Sequence, residues 1–194
     1  MRLNVIVYVK NFVAETHSYM NDIIEKEIWD WLKNYIEVPH KFYEYQFSPC
    51  PYAKAARLKN LVDVRAYGGG NIFKFIKENS INLIKEKNLN TRIMVLPPYF
   101  KLFFFLKWYL FYLNTKFVKQ DYYIQFGSAI ATESKYAGLF KGKPYRIIII
   151  NKLSDVLDAS KILEKTSYYN NWNKKHYKTV VTRREKFLKK YKNK

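Results

Sequence analysis

The strongest constraint on the fold is a hydrophobic period that switches repeatedly along the first half of the chain. Apolar residues stand at Leu3, Val5, Val7 and Val9, the two-residue period of a half-buried strand. Met20, Ile23, Ile24, Ile28, Trp31, Leu32 and Tyr35 follow at intervals of three and four, which predicts an amphipathic helix over about 15–36, capped by Thr16 or Ser18 and ended before Pro39. Phe42 to Phe47 is expected to be an aromatic strand, broken by Pro49 and Pro51. Leu61 to Tyr67 alternates again and is closed by Gly68-Gly69-Gly70. A helix is expected over 72–87, and a strand over Thr91–Leu96, stopped by Pro97-Pro98. The order β-α-β-β-α-β within residues 1–97 predicts an α+β fold, a ferredoxin-like sandwich with a long loop between its second and third strands.

Residues 98–173 read as an aromatic-rich extension and 174–194 as a basic tail. The extension opens on Tyr99 to Leu113, an apolar run interrupted by Lys101 and Lys107. A membrane span needs about 20 apolar residues, so this run is expected to be a helix buried between the domain and a neighbouring protein, without membrane insertion. Tyr122–Phe126 and Tyr145–Ile150 are strand candidates that would pair, separated by turns at Gly127-Ser128-Ala129 and 136–144. A further helix is expected over 154–165, with Ser154 as cap and Val156, Leu157, Ile162 and Leu163 inward.

Charge narrows the function. Against 16 Asp+Glu stand 35 Lys+Arg, a formal net charge of +19, in a chain that is 48% hydrophobic and 19% aromatic. That is too much core-forming material for a disordered polycation, and a charge of this size points to an anionic partner, nucleic acid or a membrane surface. The 28 lysines against 7 arginines, with abundant Asn, Ile, Tyr and Phe, also fit strongly A+T-rich codons. Nearly half the charge lies in the last 21 residues, which hold ten Lys/Arg and one Glu.

Chemistry-bearing constellations are sparse. One cysteine, Cys50, excludes an internal disulfide and a cysteine-cluster metal site. His17, His40 and His176 have no metal-ligand spacing. The three glycines lack the Gly-Lys-Ser/Thr ending of a phosphate loop and read as a turn. Glu25, Glu27 and Asp30 read as the solvated face of a helix. The expectation is therefore a non-enzyme, with no cofactor and no small-molecule substrate.

Two stretches fit RNA. Ser48 to Asn60 joins two prolines and Tyr52 to the cations Lys54, Arg57 and Lys59, a mixture suited to gripping RNA by phosphate and shape; Arg65 follows on the next strand. In the tail, Lys174, Lys175, Lys178, Arg183, Arg184, Lys186, Lys189 and Lys190 interleave with His176, Tyr177, Phe187 and Tyr191, as expected of an RNA-binding extension.

The segment Arg2-Leu3-Asn4-Val5-Ile6-Val7-Tyr8, the stretch Tyr43-Glu44-Tyr45-Gln46-Phe47-Ser48-Pro49 and the trio Lys54, Ala56 and Arg57 together resemble the small-subunit ribosomal protein of the S-ten family, called NusE in its bacterial transcription role. The resemblance covers residues 1–97. It implies a structural constituent of the small-subunit head, whose long loop touches small-subunit ribosomal RNA and neighbouring ribosomal proteins through Lys54, Arg57 and Lys59. With the A+T-rich usage and no import signal ahead of the first strand, it also implies a divergent mitochondrial form, encoded in the organelle. The alternative is a membrane-associated accessory subunit of an organellar complex, held by Tyr99 to Leu113.

Overall fold

The computed structural model describes residues 19–96, 103–128 and 145–191. Its centre is a mixed four-stranded sheet formed by β1 (Val62–Ala66), β2 (Thr91–Leu96), β3 (Tyr122–Ser128) and β4 (Arg146–Lys152), in the order β1-β2-β4-β3. β1 and β2 run parallel, with Val64 opposite Ile93. β4 is antiparallel to both its neighbours, with Ile148 opposite Met94 and Ile150 opposite Ile124. The architecture is α+β.

The isoleucine run of β4 explains how the layers are held. Successive strand residues face opposite sides, so an unbroken apolar run marks a strand covered on both. Ile147 packs with Val64, Ile93 and Val95 against Ile28 of α1, the helix over 19–31, and against Leu32 of the π turn (Leu32–Ile36) that continues it. Ile148 and Ile150 face the other way with Met94, Leu96 and Ile124. That side is covered by α3 (Ile72–Lys85) through Ile72, Ile76 and Leu83, and by α4 (Phe103–Phe117) through Leu106, Leu110, Leu113 and Phe117. Between α1 and β1 lies the short helix α2 (Ala53–Leu58). Asn71 starts α3, its side-chain oxygen accepting from the Lys74 N–H at 3.0 Å, and the preceding turn needs glycine because Gly69 and Gly70 have φ of 112° and 87°.

After β4 come α5 (Leu153–Glu164), α6 (Lys174–Tyr177) and α7 (Arg183–Tyr191), the last two joined by a π turn at Lys178–Thr182. Tyr123, Leu153, Leu157, Val118 and Phe187 form the cluster that seats α7 on the body.

Several expectations are corrected. Residues 42–47 are not a strand: Lys41–Tyr43 is a 3-10 turn and Glu44 and Tyr45 take left-handed φ of 53° and 60°. The cause lies in the His40 side chain, which accepts from the Phe42 N–H at 3.2 Å, and in the aromatic rings, which are used in a cluster. Tyr43 stacks on Tyr168 at 4.6 Å, and Trp172 Nε1–H donates to its hydroxyl at 3.1 Å. Residues 48–60 are not a projecting loop; they contain α2 and are pinned down, with the Tyr168 hydroxyl donating to the Pro49 carbonyl at 2.6 Å. β1 pairs directly with β2, whereas a split βαβ unit keeps a further strand between such a pair. β2 in turn pairs with β4, so the sheet runs across the boundary expected at residue 97. Gly127 and Ser128 belong to β3. Ser154 is not the cap of α5, whose N-cap position is Lys152; the Ser154 hydroxyl instead donates to Asp121 at 2.5 Å. Ile162, expected inward, is 57% exposed. The strand expected at 3–9, the caps at Thr16 and Ser18, the stop at Pro97-Pro98 and the turns over 129–144 lie outside the described residues.

Two side chains close exposed positions of the sheet. Asn114 on α4 is buried; its amide donates to the Ile124 carbonyl at 2.7 Å and accepts from the Ile124 N–H at 2.7 Å. It thus stands where a further strand would pair with β3. On β1, Glu25 accepts from the Ala66 N–H at 2.9 Å. Asn114→Ala orphans both main-chain groups of Ile124 and should cost about 3 kcal/mol, read from the urea midpoint; a loss below about 1 kcal/mol would contradict this role.

Candidate nucleic-acid interface

Over its described residues the basic tail is helical. Residues 174–191 wind continuously through α6, the π turn and α7, a rod of about 27 Å at 1.5 Å per residue. Asn173 caps it, its side-chain oxygen accepting from the His176 N–H at 2.8 Å. The inner side is fixed by Val181, Arg184 and Phe187, all buried, with Leu188 and Tyr191 partly covered. Phe187 meets Tyr123 at 5.6 Å and Phe111 at 5.4 Å between ring centroids. At its start, Tyr177 donates to Glu164 at 2.5 Å. That hydrogen bond, followed by burial, pushes the Tyr177 hydroxyl up to about 12.

With the inner side anchored, the cations point outward by helical geometry. Lys174, Lys175, Lys178, Arg183, Lys186, Lys189 and Lys190 are exposed, and the one carboxylate on the rod is Glu185. Arg183, Lys186 and Lys190 are spaced by three and four and share a side. Partial burial lowers the pKa of His176 below the ordinary value. The arrangement is a helical line of positive charge, a form suited to neutralising successive phosphates without reading bases.

Other expected contacts divide into exposed and engaged cations. Lys54 and Lys59 on and beside α2 are exposed. Arg57 instead donates twice to Glu37, at 2.7 and 2.8 Å, and the Glu37 carboxylate is 4% exposed; this hydrogen bonding raises the Arg57 pKa. Arg65 donates to Asp63 at 3.0 Å, with its side chain still half exposed. Arg184 is buried and bonded to Gln125, and desolvation lowers its pKa. Arg57 and Arg184 are therefore each held by a partner within the fold, an engagement that their expected role as RNA ligands did not include. Arg57→Ala should lower the unfolding midpoint, because it strands a buried carboxylate, while leaving RNA affinity at the level of Lys54→Ala or above; a stable variant with selectively lost RNA binding would reverse the assignment.

The engagement of Arg65 was legible in principle, because residues two apart on a strand share a face. Those of Arg57 and Arg184 depend on partners 20 and 59 positions away, with no local sign. The exposed ridge of Phe104, Phe105, Trp108 and Tyr112 on α4 was also hidden, since a helix apolar on all sides does not reveal which side meets the sheet.

Cys50 is exposed as a residue, while desolvation of its thiol raises the pKa, outweighing the backbone N–H groups of Tyr52 and Ala53; an activated thiol needs the opposite shift. Among the described residues no three His, Cys, Asp or Glu side chains are grouped to hold a metal ion, and no helix is long and apolar enough to cross a membrane. No family model matches the chain, and no curated protein or solved structure is found to be similar to it.

Proposed function

We propose that the protein is a non-catalytic RNA-binding protein, and more specifically a structural constituent of the small ribosomal subunit head that serves mitochondrial translation. The observation that carries the RNA-binding part is the ordered rod over 174–191, anchored by Val181, Arg184 and Phe187 on one side and exposing seven cations on the other. A helix held this way presents charge without first losing chain entropy on binding, which favours an extended phosphate backbone over a diffuse counterion cloud. Lys54 and Lys59 add exposed charge on α2.

The ribosomal part rests on the resemblance of residues 1–97 to the S-ten family. The ferredoxin-like architecture which that resemblance implies is retained only as far as the α+β sheet and its β1-α3-β2 unit; the directly paired β1 and β2 depart from it. Partners under this reading are small-subunit ribosomal RNA and neighbouring ribosomal proteins, and the setting is the mitochondrion.

The test is binding of the full chain to purified small-subunit ribosomal RNA over a range of salt. The reading predicts that log affinity falls linearly with log salt, with a slope of about −5 for seven phosphate contacts at about 0.7 each. A slope near zero would overturn it.

A further inference from the structure

We propose that the outer side of α4 is a docking ridge for an anionic lipid surface, on which the helix lies flat. Phe104, Phe105, Trp108 and Tyr112 are 67%, 63%, 64% and 56% exposed, whereas Leu106, Leu110 and Leu113 on the inner side are almost fully buried by the sheet. A helix apolar on both sides is covered on both in its working state, and the described residues cover only one. Four rings of this kind present on the order of 500 Å² of aromatic surface, at the upper end of what a monomer leaves open.

The shape and charge of the ridge select its occupant. Phe104, Trp108 and Tyr112 follow at intervals of four, so they form one line parallel to the helix axis, with Phe105 beside it. This line is convex, which suits a plane. α4 contains no Asp or Glu, Lys107 and Lys116 on it and Lys119 in the 3-10 turn just after it are exposed, and Lys116 Nζ lies 5.8 Å from the centre of the Tyr112 ring. Beside it lies α7, joined through the Phe111–Phe187 contact at 5.4 Å and carrying Arg183, Lys186 and Lys190 outward. Aromatic rings at headgroup depth with lysines reaching lipid phosphates are the composition of an interfacial helix. A run of successively stacked RNA bases is a poorer fit, because it needs ring faces parallel to one another and these rings meet edge to face, Phe104 with Phe105 at 84° and with Trp108 at 62°. At 15 residues, or about 22 Å, the helix is shorter than the roughly 30 Å hydrocarbon core, so it docks without crossing.

The experiment is co-sedimentation of the full chain with phosphatidylcholine vesicles, with and without phosphatidylserine, and in parallel RNA binding and sedimentation equilibrium. The unaltered protein should bind the phosphatidylserine vesicles, at least about tenfold more weakly once the charge is removed, and F104S/F105S/Y112S should lose at least about tenfold in vesicle binding while keeping its RNA affinity. These side chains are exposed, so the fold should survive; Lys116→Glu with Lys119→Glu provides a second variant, expected to weaken vesicle binding also. The proposal is overturned by failure of the unaltered protein to bind vesicles, by full binding of the aromatic variant, by a dimer that the aromatic variant abolishes, or by loss of RNA binding alone. Failure here leaves the salt slope of RNA binding, and hence the proposed function, unaffected.

Discussion

Replacing Lys175, Lys178, Lys186 and Lys190 together by alanine should weaken binding to small-subunit ribosomal RNA by about 10²- to 10³-fold at physiological salt and flatten the slope of log affinity against log salt by about 3. Both effects come from one cause. Each phosphate contact releases about 0.7 of a counterion from a single strand, so four contacts contribute close to three units of slope. All four lysines are exposed on the rod, whose attachment runs through Val181, Arg184 and Phe187. The thermal midpoint should therefore barely move. If affinity fell without a change in slope, the lysines would be supporting the helix and not contacting phosphates; if neither changed, the rod would not be the interface.

The second large effect lies in the sheet. Arg92 on β2 is 2% exposed. It donates to Asp63 at 2.7 Å, to Glu86 at 2.7 Å and to the Asn79 carbonyl at 2.8 Å. It therefore ties β1, the interior of α3 and the residue just beyond the end of α3 to β2. Removing one partner of a buried pair costs about 3–5 kcal/mol, because the other charge is left desolvated. Asp63 is 19% exposed and Glu86 41% exposed, so water takes over part of the loss, and Arg92→Met should cost about 3 kcal/mol, the lower end of that range. Against a total stability of about 5–15 kcal/mol this is a large fraction. Glu86→Gln, at the exposed end, should cost no more than about 1 kcal/mol. The urea midpoints of the two variants check the ranking, and equal losses would contradict it.

These two predictions also mark how far the sequence could be read. Thr91–Leu96 and Val62–Ala66 were legible because their ends carry punctuation, Gly68 to Gly70 on one and the Pro97-Pro98 pair on the other, and because β-branched and apolar residues predominate between, with Asp63, Arg65 and Arg92 as the charged exceptions. The helix of α3 was legible from Ile72, Ile76 and Leu83 at helical spacing. The pairing of β3 with β4 followed from their apolar content. Residues 42–47 failed for a physical reason: aromatic enrichment raises strand propensity, but Phe42, Tyr43 and Phe47 are spent on Tyr168, Tyr169 and Trp172, more than a hundred positions away. Long-range partners leave no local pattern.

The candidate interface shows the same division. That 174–194 is basic was plain from composition, and that it is interleaved with aromatics was plain from order. That the aromatics face inward and pin a helix, with Phe187 in the cluster of Tyr123 and Leu157, depends on tertiary packing. The same packing takes Arg184 out of solvent and gives it to Gln125, so this buried cation is indistinguishable in sequence from its exposed neighbour Arg183. Arg57 is the parallel case on α2: Glu37 lies at the end of the π turn that follows α1, and its carboxylate is almost fully buried.

The central claim is that this chain works bound to small-subunit ribosomal RNA. The most direct measurement is sedimentation of a tagged full-length copy from gently lysed organelles, with and without EDTA, scored against small-subunit and large-subunit RNA. The account predicts that the protein follows small-subunit RNA in both conditions, including after EDTA has separated the subunits. Migration in a light fraction free of ribosomal RNA, or with the large-subunit RNA after EDTA, would contradict it.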